Sequence, residues 1–253
     1  MTRQINCFLW CLAGGLFATP VLADDWGGLR GRFLFGGDPP AAKKIAVTKD
    51  AAHCGKHPLV DESLLVGKDK AIANVIVYVR TPKVNVHPDL AKAVKPTVLL
   101  DNAGCRFEPH ITTLWVDKQV LLIRNSDPVL HNVNLQPFGD RGINPIVAVN
   151  KTIEHRLTKS QTIPIQVVCN LHPWMKGYVL PRDNPYVAVT GKDGVFKLDK
   201  LPVGELEFQA WHEAVGYVRI GEWKRGRFKL TLKDGVQDLG DITIPAELFR
   251  PRR

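Results

Sequence analysis

Little in this sequence reads as helix. Across 253 residues, only Pro88 to Val94 looks like a helical turn, with proline at its start and Pro96 closing it. Beyond residue 23 no run is apolar enough to cross a bilayer. No basic block alternates with aromatics, and no helix-turn-helix, RNA-recognition or zinc-finger pattern is present. The formal net charge of +9 therefore reads as Lys and Arg scattered over a solvated surface, with no nucleic acid as partner. No nucleophile–base pair and no paired acid–base carboxylates stand out, so no enzymatic activity is expected. Cysteine is scarce: five in all, two of them, Cys7 and Cys11, inside the leading apolar segment.

That leading segment reads as an export signal. Arg3 supplies the positive start, Ile5 to Phe17 is apolar, and Val21-Leu22-Ala23 fits a small-residue cleavage site. Residues 1–23 are expected to be removed, with no membrane span left in the mature chain and a periplasmic or otherwise exported location. Three cysteines then remain, Cys54, Cys105 and Cys169, in an oxidising compartment. Two can pair, which leaves one thiol for another task.

Apolar content of 45% and charged content of 23% are ordinary for a globular chain, and 21 Gly with 18 Pro point to many turns. Strand patterns dominate. Leu29–Phe35 alternates, Asn74–Val79 is β-branched and aromatic, and Val98–Leu100, Ile111–Val116, Val120–Arg124 and Ile163–Cys169 follow. Pro181 to Pro185 is a turn-rich joint. Beyond it come short, closely spaced strands at 186–190, 195–198, 206–211, 227–232 and 239–244. The expectation is an all-β chain of two parts, residues 24–182 and 183–248, with a basic tail at 249–253. Residues 39–69 look loop-rich, placed to cover one face of the first part.

The chemistry concentrates in Val167-Val168-Cys169-Asn170-Leu171-His172-Pro173-Trp174-Met175. Cys, His and Met at successive steps of three can wrap one soft metal ion. A blue-copper site needs a thiolate, two imidazoles and a weak axial thioether. The second imidazole must come from a strand end facing the loop. His131 fits: it follows the strand Val120–Arg124 and the polar turn Asn125-Ser126-Asp127. Asn132 beside it is placed to hydrogen-bond across to the ligand loop and hold it closed.

The pair NSDPVLHNV and CNLHPWMKGYV resembles the cupredoxins, amicyanin-like and plastocyanin-like members among them, over roughly Gly104 to Val179. That resemblance implies a Greek-key β-sandwich, here with an insertion, and one type 1 copper held by His131, Cys169, His172 and axial Met175. It implies single-electron transfer, with Pro173 and Trp174 flanking a docking patch around His172; the alternative for Trp174 is packing beneath the loop. A redox protein is the expected partner, an acidic one suiting the basic surface. Leu171 stands where amicyanin has proline. Its N–H is free to point at the Cys169 sulfur, which would raise the reduction potential. Two other functions stay open: a copper carrier or storage protein using the same ligands, and a structural sandwich with a relic loop.

Cys54 and Cys105 are expected to form a disulfide. The rival is a second metal site, because His53 and His57 bracket Cys54. His110, His155 and His212 are candidates for a further copper centre, but no spacing links them. Finally, Gly194-Val195-Phe196-Lys197-Leu198 with Leu201-Pro202-Val203-Gly204 resembles the carboxypeptidase regulatory-like domain, a small transthyretin-like β-sandwich. That resemblance implies a packing or interaction module, and no peptidase zinc motif is present. The two-part layout resembles exported methylamine-utilisation-like bacterial proteins.

Overall fold

A computed structural model describes residues 26–249. The expected export signal, Cys7, Cys11 and the tail beyond Phe249 lie outside the described residues. The chain is all-β. Its helical content is limited to short pieces such as Ala51–Cys54 and Pro88–Ala93, and among the described residues no helix is long and apolar enough to cross a membrane.

Two sandwiches are present. In the first, Thr152–His155, Val120–Asn125, Thr97–Asn102 and Phe107–Glu108 form one sheet; Ile111–Trp115, Lys176–Arg182, Ile165–Val168 and Asn134–Leu135 form the other. Leu100, Phe107, Leu121, Ile123, Val167 and Val179 fill the space between them. In the second sandwich, Val195–Pro202, Trp26–Gly36 and Gly235–Pro245 face a sheet built around Ile76–Val79 and Gly204–His212. Phe33, Val77, Phe196, Leu198, Phe208 and Phe228 form its core.

The strand pairing departs from the expected linear division at residue 183. Trp26–Gly36 runs antiparallel to Val195–Pro202 and parallel to Gly235–Pro245, and Ile76–Val79 pairs with Val187–Val189 and Gly204–His212. The first two strands of the chain therefore belong to the second sandwich, and the first is built from residues inserted between them and residue 187. Trp26–Gly36 offers aromatic and leucine side chains and Ile76–Val79 β-branched and aromatic ones, surfaces that either sandwich could take, so their own composition does not choose. Likewise the expected joint at Pro181 is still strand: Lys176–Arg182 runs on beside Ile111–Trp115.

Period-two alternation lets two strands serve two cores. Val77 and Val79 enter the second sandwich, while Ile76 and Tyr78 point the other way. Val179 enters the first sandwich, while Tyr178 and Leu180 leave it and meet Ile76, Tyr78, Ile111 and Trp211. This third apolar layer joins the two sandwiches. Buried Arg182 spans it, donating to the carbonyls of Gln161 at 2.6 Å and Val79 at 3.1 Å.

The loop-rich segment lies over one end of the first sandwich. Cys54, at the end of the helix Ala51–Cys54, is disulfide-bonded to Cys105, with Cα atoms 5.5 Å apart. The expected disulfide is present, and the rival use of the Cys54 thiol as a metal ligand is thereby removed.

Candidate metal centre

Cys169 to Met175 is the connection between two antiparallel strands, Ile165–Val168 and Lys176–Arg182, whose ends Val168 and Lys176 face each other. The connection is closed from within. Cys169 N–H donates to the Met175 carbonyl at 3.2 Å, and Met175 N–H donates to the His172 carbonyl at 2.9 Å. Cys169, His172 and Met175 are all buried, and Cys169 and Met175 belong to the core group of the first sandwich. Cys169 is the free cysteine among the described residues.

His131 lies beyond the strand Val120–Asn125, in a short strand His131–Asn132 that pairs with Ile146–Val147. The turn before it is shaped by Asn125, whose side-chain amide donates to the carbonyls of Val129 and Val147 while its oxygen accepts from Asp127 N–H. His131 Nδ1 lies 3.9 Å from Cys169 Sγ, and His172 Nδ1 lies 3.7 Å from it. One donor atom from each of His131, Cys169 and His172 falls within 4.8 Å of the others. A thiolate and an imidazole bound at about 2.3 and 2.0 Å to one ion, opened to a trigonal angle, are about 3.7 Å apart. The three groups are therefore spaced so that they could share a single ion.

Two carboxylates here are not singled out by sequence reasoning. Asp127 reads in the sequence as part of a turn, but its side chain is the hub of the site. One of its oxygens accepts from His131 Nε2 at 2.9 Å and Cys105 N–H at 2.8 Å; the other accepts from Gly104 N–H at 2.6 Å and faces His53 Nε2 at 3.2 Å. Asp50, in the covering segment, lies 2.9 Å from His172 Nε2. With a carboxylate on each Nε2, both rings carry their proton there and turn a bare Nδ1 toward the sulfur. Asp127 and His131 do carry a sequence-level signal, an i, i+4 acid–imidazole pair; Asp50 carries none.

The electrostatics follow from these contacts. Burial opposes the charge on Asp127, but His131 and the backbone N–H groups of Cys105 and Gly104 hold its carboxyl well below the usual range. Burial disfavours a Cys169 thiolate, yet His131 and the N–H groups of Asn132, His172 and Leu171 outweigh it and lower the thiol. Burial also disfavours charge on His131, where Asp127 and Cys169 prevail and raise it. For His172 burial wins over Asp50 and keeps the ring lower than usual.

Asn132 does bridge to the ligand loop. Its side-chain oxygen accepts from Asn170 N–H at 2.7 Å and Leu171 N–H at 3.2 Å, and its own backbone N–H points at Cys169 Sγ at 3.5 Å. This amends the expectation for Leu171. Its N–H lies near enough to the sulfur to favour the thiolate, but its hydrogen bond goes to Asn132. A second amendment concerns the docking patch. His172 is fully buried, with Nε2 committed to Asp50, so its ring edge is not offered at the surface. Trp174 is partly buried against the core and donates from its indole N–H to the Cys105 carbonyl at 3.1 Å.

The remaining histidines do not assemble. His110 sits between Glu213, 2.6 Å from its Nε2, and Glu62, 3.5 Å from its Nδ1. His212 is buried with Nδ1 accepting from Ala214 N–H, and His155 ends the edge strand Thr152–His155. Among the described residues no ligand group contains any of the three; the other group, His53, Cys105 and Asp127, includes a sulfur already in the disulfide.

No protein-family model matches the chain, and no curated protein sequence matches it. Solved structures that resemble it include a purple cupredoxin from Nitrosopumilus maritimus, at 20% identity over 34% of this chain and 99% of that one, with a TM-score of 0.28. Variants of amicyanin match at 16% identity over 42% of this chain and 98% of theirs, TM-score 0.31. A copper-containing nitrite reductase from Thermus scotoductus matches at 20% identity over 39% of this chain and 27% of its own, TM-score 0.32. Likeness at this level does not bear on function. The chain's own side chains do.

Proposed function

We propose that this chain is an exported protein that holds one type 1 copper ion through His131, Cys169, His172 and axial Met175 and carries single electrons between redox partners. One observation carries the reading: two imidazoles, each pinned at Nε2 by a carboxylate, turn Nδ1 toward one buried free thiol from 3.9 and 3.7 Å. Copper bound in such a set supplies a one-electron couple between its cuprous and cupric states.

The protein's own residues supply the rest. Asp127 and Asp50 fix the tautomers, so neither ring has to shed a proton from the ligating nitrogen. Asn132 ties the ligand loop to the His131 strand, which limits how far the donor atoms can drift apart. Burial of Cys169 and both rings excludes water. A site held this tightly favours electron transfer over the carrier reading, which needs ligands that let go. The disulfide supports an oxidising compartment, and the basic surface suits an acidic redox partner.

The test is visible absorption and EPR of the copper-loaded protein beside Cys169→Ala. An intense thiolate-to-copper band with narrow hyperfine splitting, absent in the variant, is the expected result. Ordinary square-planar cupric signals that the variant leaves unchanged would overturn the reading.

A further inference from the structure

The helix Ala51–Cys54 and the residue before it meet the candidate centre at three points. Asp50 lies 2.9 Å from His172 Nε2. His53 faces one oxygen of Asp127 at 3.2 Å, and the other oxygen of that carboxylate accepts from His131. Cys54 is joined to Cys105, whose N–H donates to Asp127 and whose carbonyl accepts from the Trp174 indole in the ligand loop. Both rings that face the Cys169 thiol are therefore held, at one or two links, by this helix or by the residue bonded to it.

The helix has little else to seat it. It is four residues long, too short to stand by itself in water. Of those residues just Cys54 is buried, and no side chain caps the start. Ala51 and Ala52 are exposed, so no apolar face is offered to the sandwich. The Asp50 and His53 contacts are reached by solvent, their side chains 36% and 23% exposed, and pairs of that kind hold a segment weakly. Asp50 is tied to Cys54 through the backbone, its carbonyl accepting from the N–H groups of His53 and Cys54 at 2.9 Å. Cys54 and Cys105 are fully buried, which shelters their bond from reductants. Neither belongs to the core group of the first sandwich.

We propose that the Cys54–Cys105 disulfide is the latch of a clasp. It positions Asp50 and His53 against the candidate ligand histidines, so that a chain with these two thiols reduced keeps its sandwich cores but holds metal loosely. Resting on the copper reading, the latch sets how long the ion stays; independently of any metal, it sets how well Cys169 is shielded.

The experiment follows transfer of copper(I) from the loaded protein to bathocuproine disulfonate. Cys54→Ala/Cys105→Ala opens the latch. Ala51→Gly/Ala52→Gly keeps it but loosens the helix between Cys54 and Asp50, at exposed positions where glycine disturbs no core. The first should lose copper about tenfold faster, the low end of what removing support from a ligating histidine costs, and the second about threefold faster. Far-UV circular dichroism should stay that of the parent in both. Asp50→Ala/His53→Ala removes the contacts that the latch serves. Opening the disulfide in that background should add less than about twofold, because both changes act through one set of contacts. Full additivity would mean that the disulfide serves the fold alone, and it overturns the proposal, as do parent-like rates in the glycine variant. Should the disulfide variant fail to fold, the glycine variant decides. In metal-free protein, the reaction of Cys169 with dithiodipyridine, identified by its loss in Cys169→Ala, should quicken in both latch variants; unchanged reactivity overturns the proposal. The two readings fail separately. A parent that forms no thiolate-to-copper band, with Cys169 reacting faster in the variants, removes the copper reading and leaves the latch. A band, with copper loss and thiol reactivity indifferent to both variants, does the reverse.

Discussion

Asp127 is the residue whose loss should be most informative. Its two carboxylate oxygens serve three fixed donors, the N–H groups of Gly104 and Cys105 and the Nε2 of His131, with His53 as a fourth neighbour. The group is 4% exposed, so water does not readily replace it. Asp127→Ala orphans three buried donors. At about 1–3 kcal/mol each, reduced where the truncated site admits water, the expected loss is about 4 kcal/mol. Asp127→Asn is gentler but cannot be neutral. Each Asp127 oxygen faces a backbone N–H, so the amide NH2 must point at one of them whichever way it is turned. One donor is then unsatisfied, for a loss of about 2 kcal/mol. If the NH2 takes the His131 side, the ring proton moves to Nδ1, the atom that faces Cys169. Either variant should therefore weaken copper binding by about 10–100-fold, the usual cost of removing a group that orients a metal-ligating histidine. Urea unfolding of the metal-free variants gives the first number, and competition against a copper chelator the second. An alanine variant within about 0.5 kcal/mol of the parent, the range of an ordinary surface substitution, would refute the hub role.

Asp50 makes the same contact to His172 from an exposed position, its side chain 36% exposed. Asp50→Ala should thus cost less than about 1 kcal/mol in urea while speeding loss of copper to a chelator; unchanged exchange would show that the cap is incidental. Opening the disulfide with Cys54→Ala/Cys105→Ala frees a loop with a sequence separation of 51 residues. Chain entropy puts that at about 4 kcal/mol, read as a lower urea midpoint, and a shift under about 1 kcal/mol would mean the covering segment is ordered without it. His110, which is not among the candidate metal ligands, gives a pH signature. Burial opposes its charge, but Glu213 and Glu62 raise it to about 9 from 6.5. The stabilisation is fully present below pH 6.5 and is lost as pH rises through about 9. Its ceiling is about 3 kcal/mol, at about 1.4 kcal/mol per pKa unit. Unfolding free energy followed from about pH 6 to 10 should fall in the parent and stay flatter in His110→Phe; parallel curves would place the titration elsewhere.

Much of the candidate site is legible in the sequence because its possible donors are local. Cys169, His172 and Met175 share one short connection, and the chain geometry that brings them together is fixed by the strands on either side. His131 is readable because a polar turn after a strand marks a sheet end. The disulfide follows from a count of three cysteines with one already engaged. The all-β character and most strand positions come from alternation and β-branched runs, signals that act over a few residues.

Tertiary structure decided what depends on distant partners. Strand Trp26–Gly36 pairs with a strand more than 200 residues later, and nothing within its own eleven residues says which of two sandwiches it will join. Asp50 meets His172 across 122 residues, in a segment with no periodicity to read. Its role and the burial of His172 both arise from where the disulfide-tied segment comes to rest. Side-chain type and spacing determined which atoms can ligate. Only the packing of far-separated segments decided that Asp50 meets His172 and that the ring is closed off from solvent.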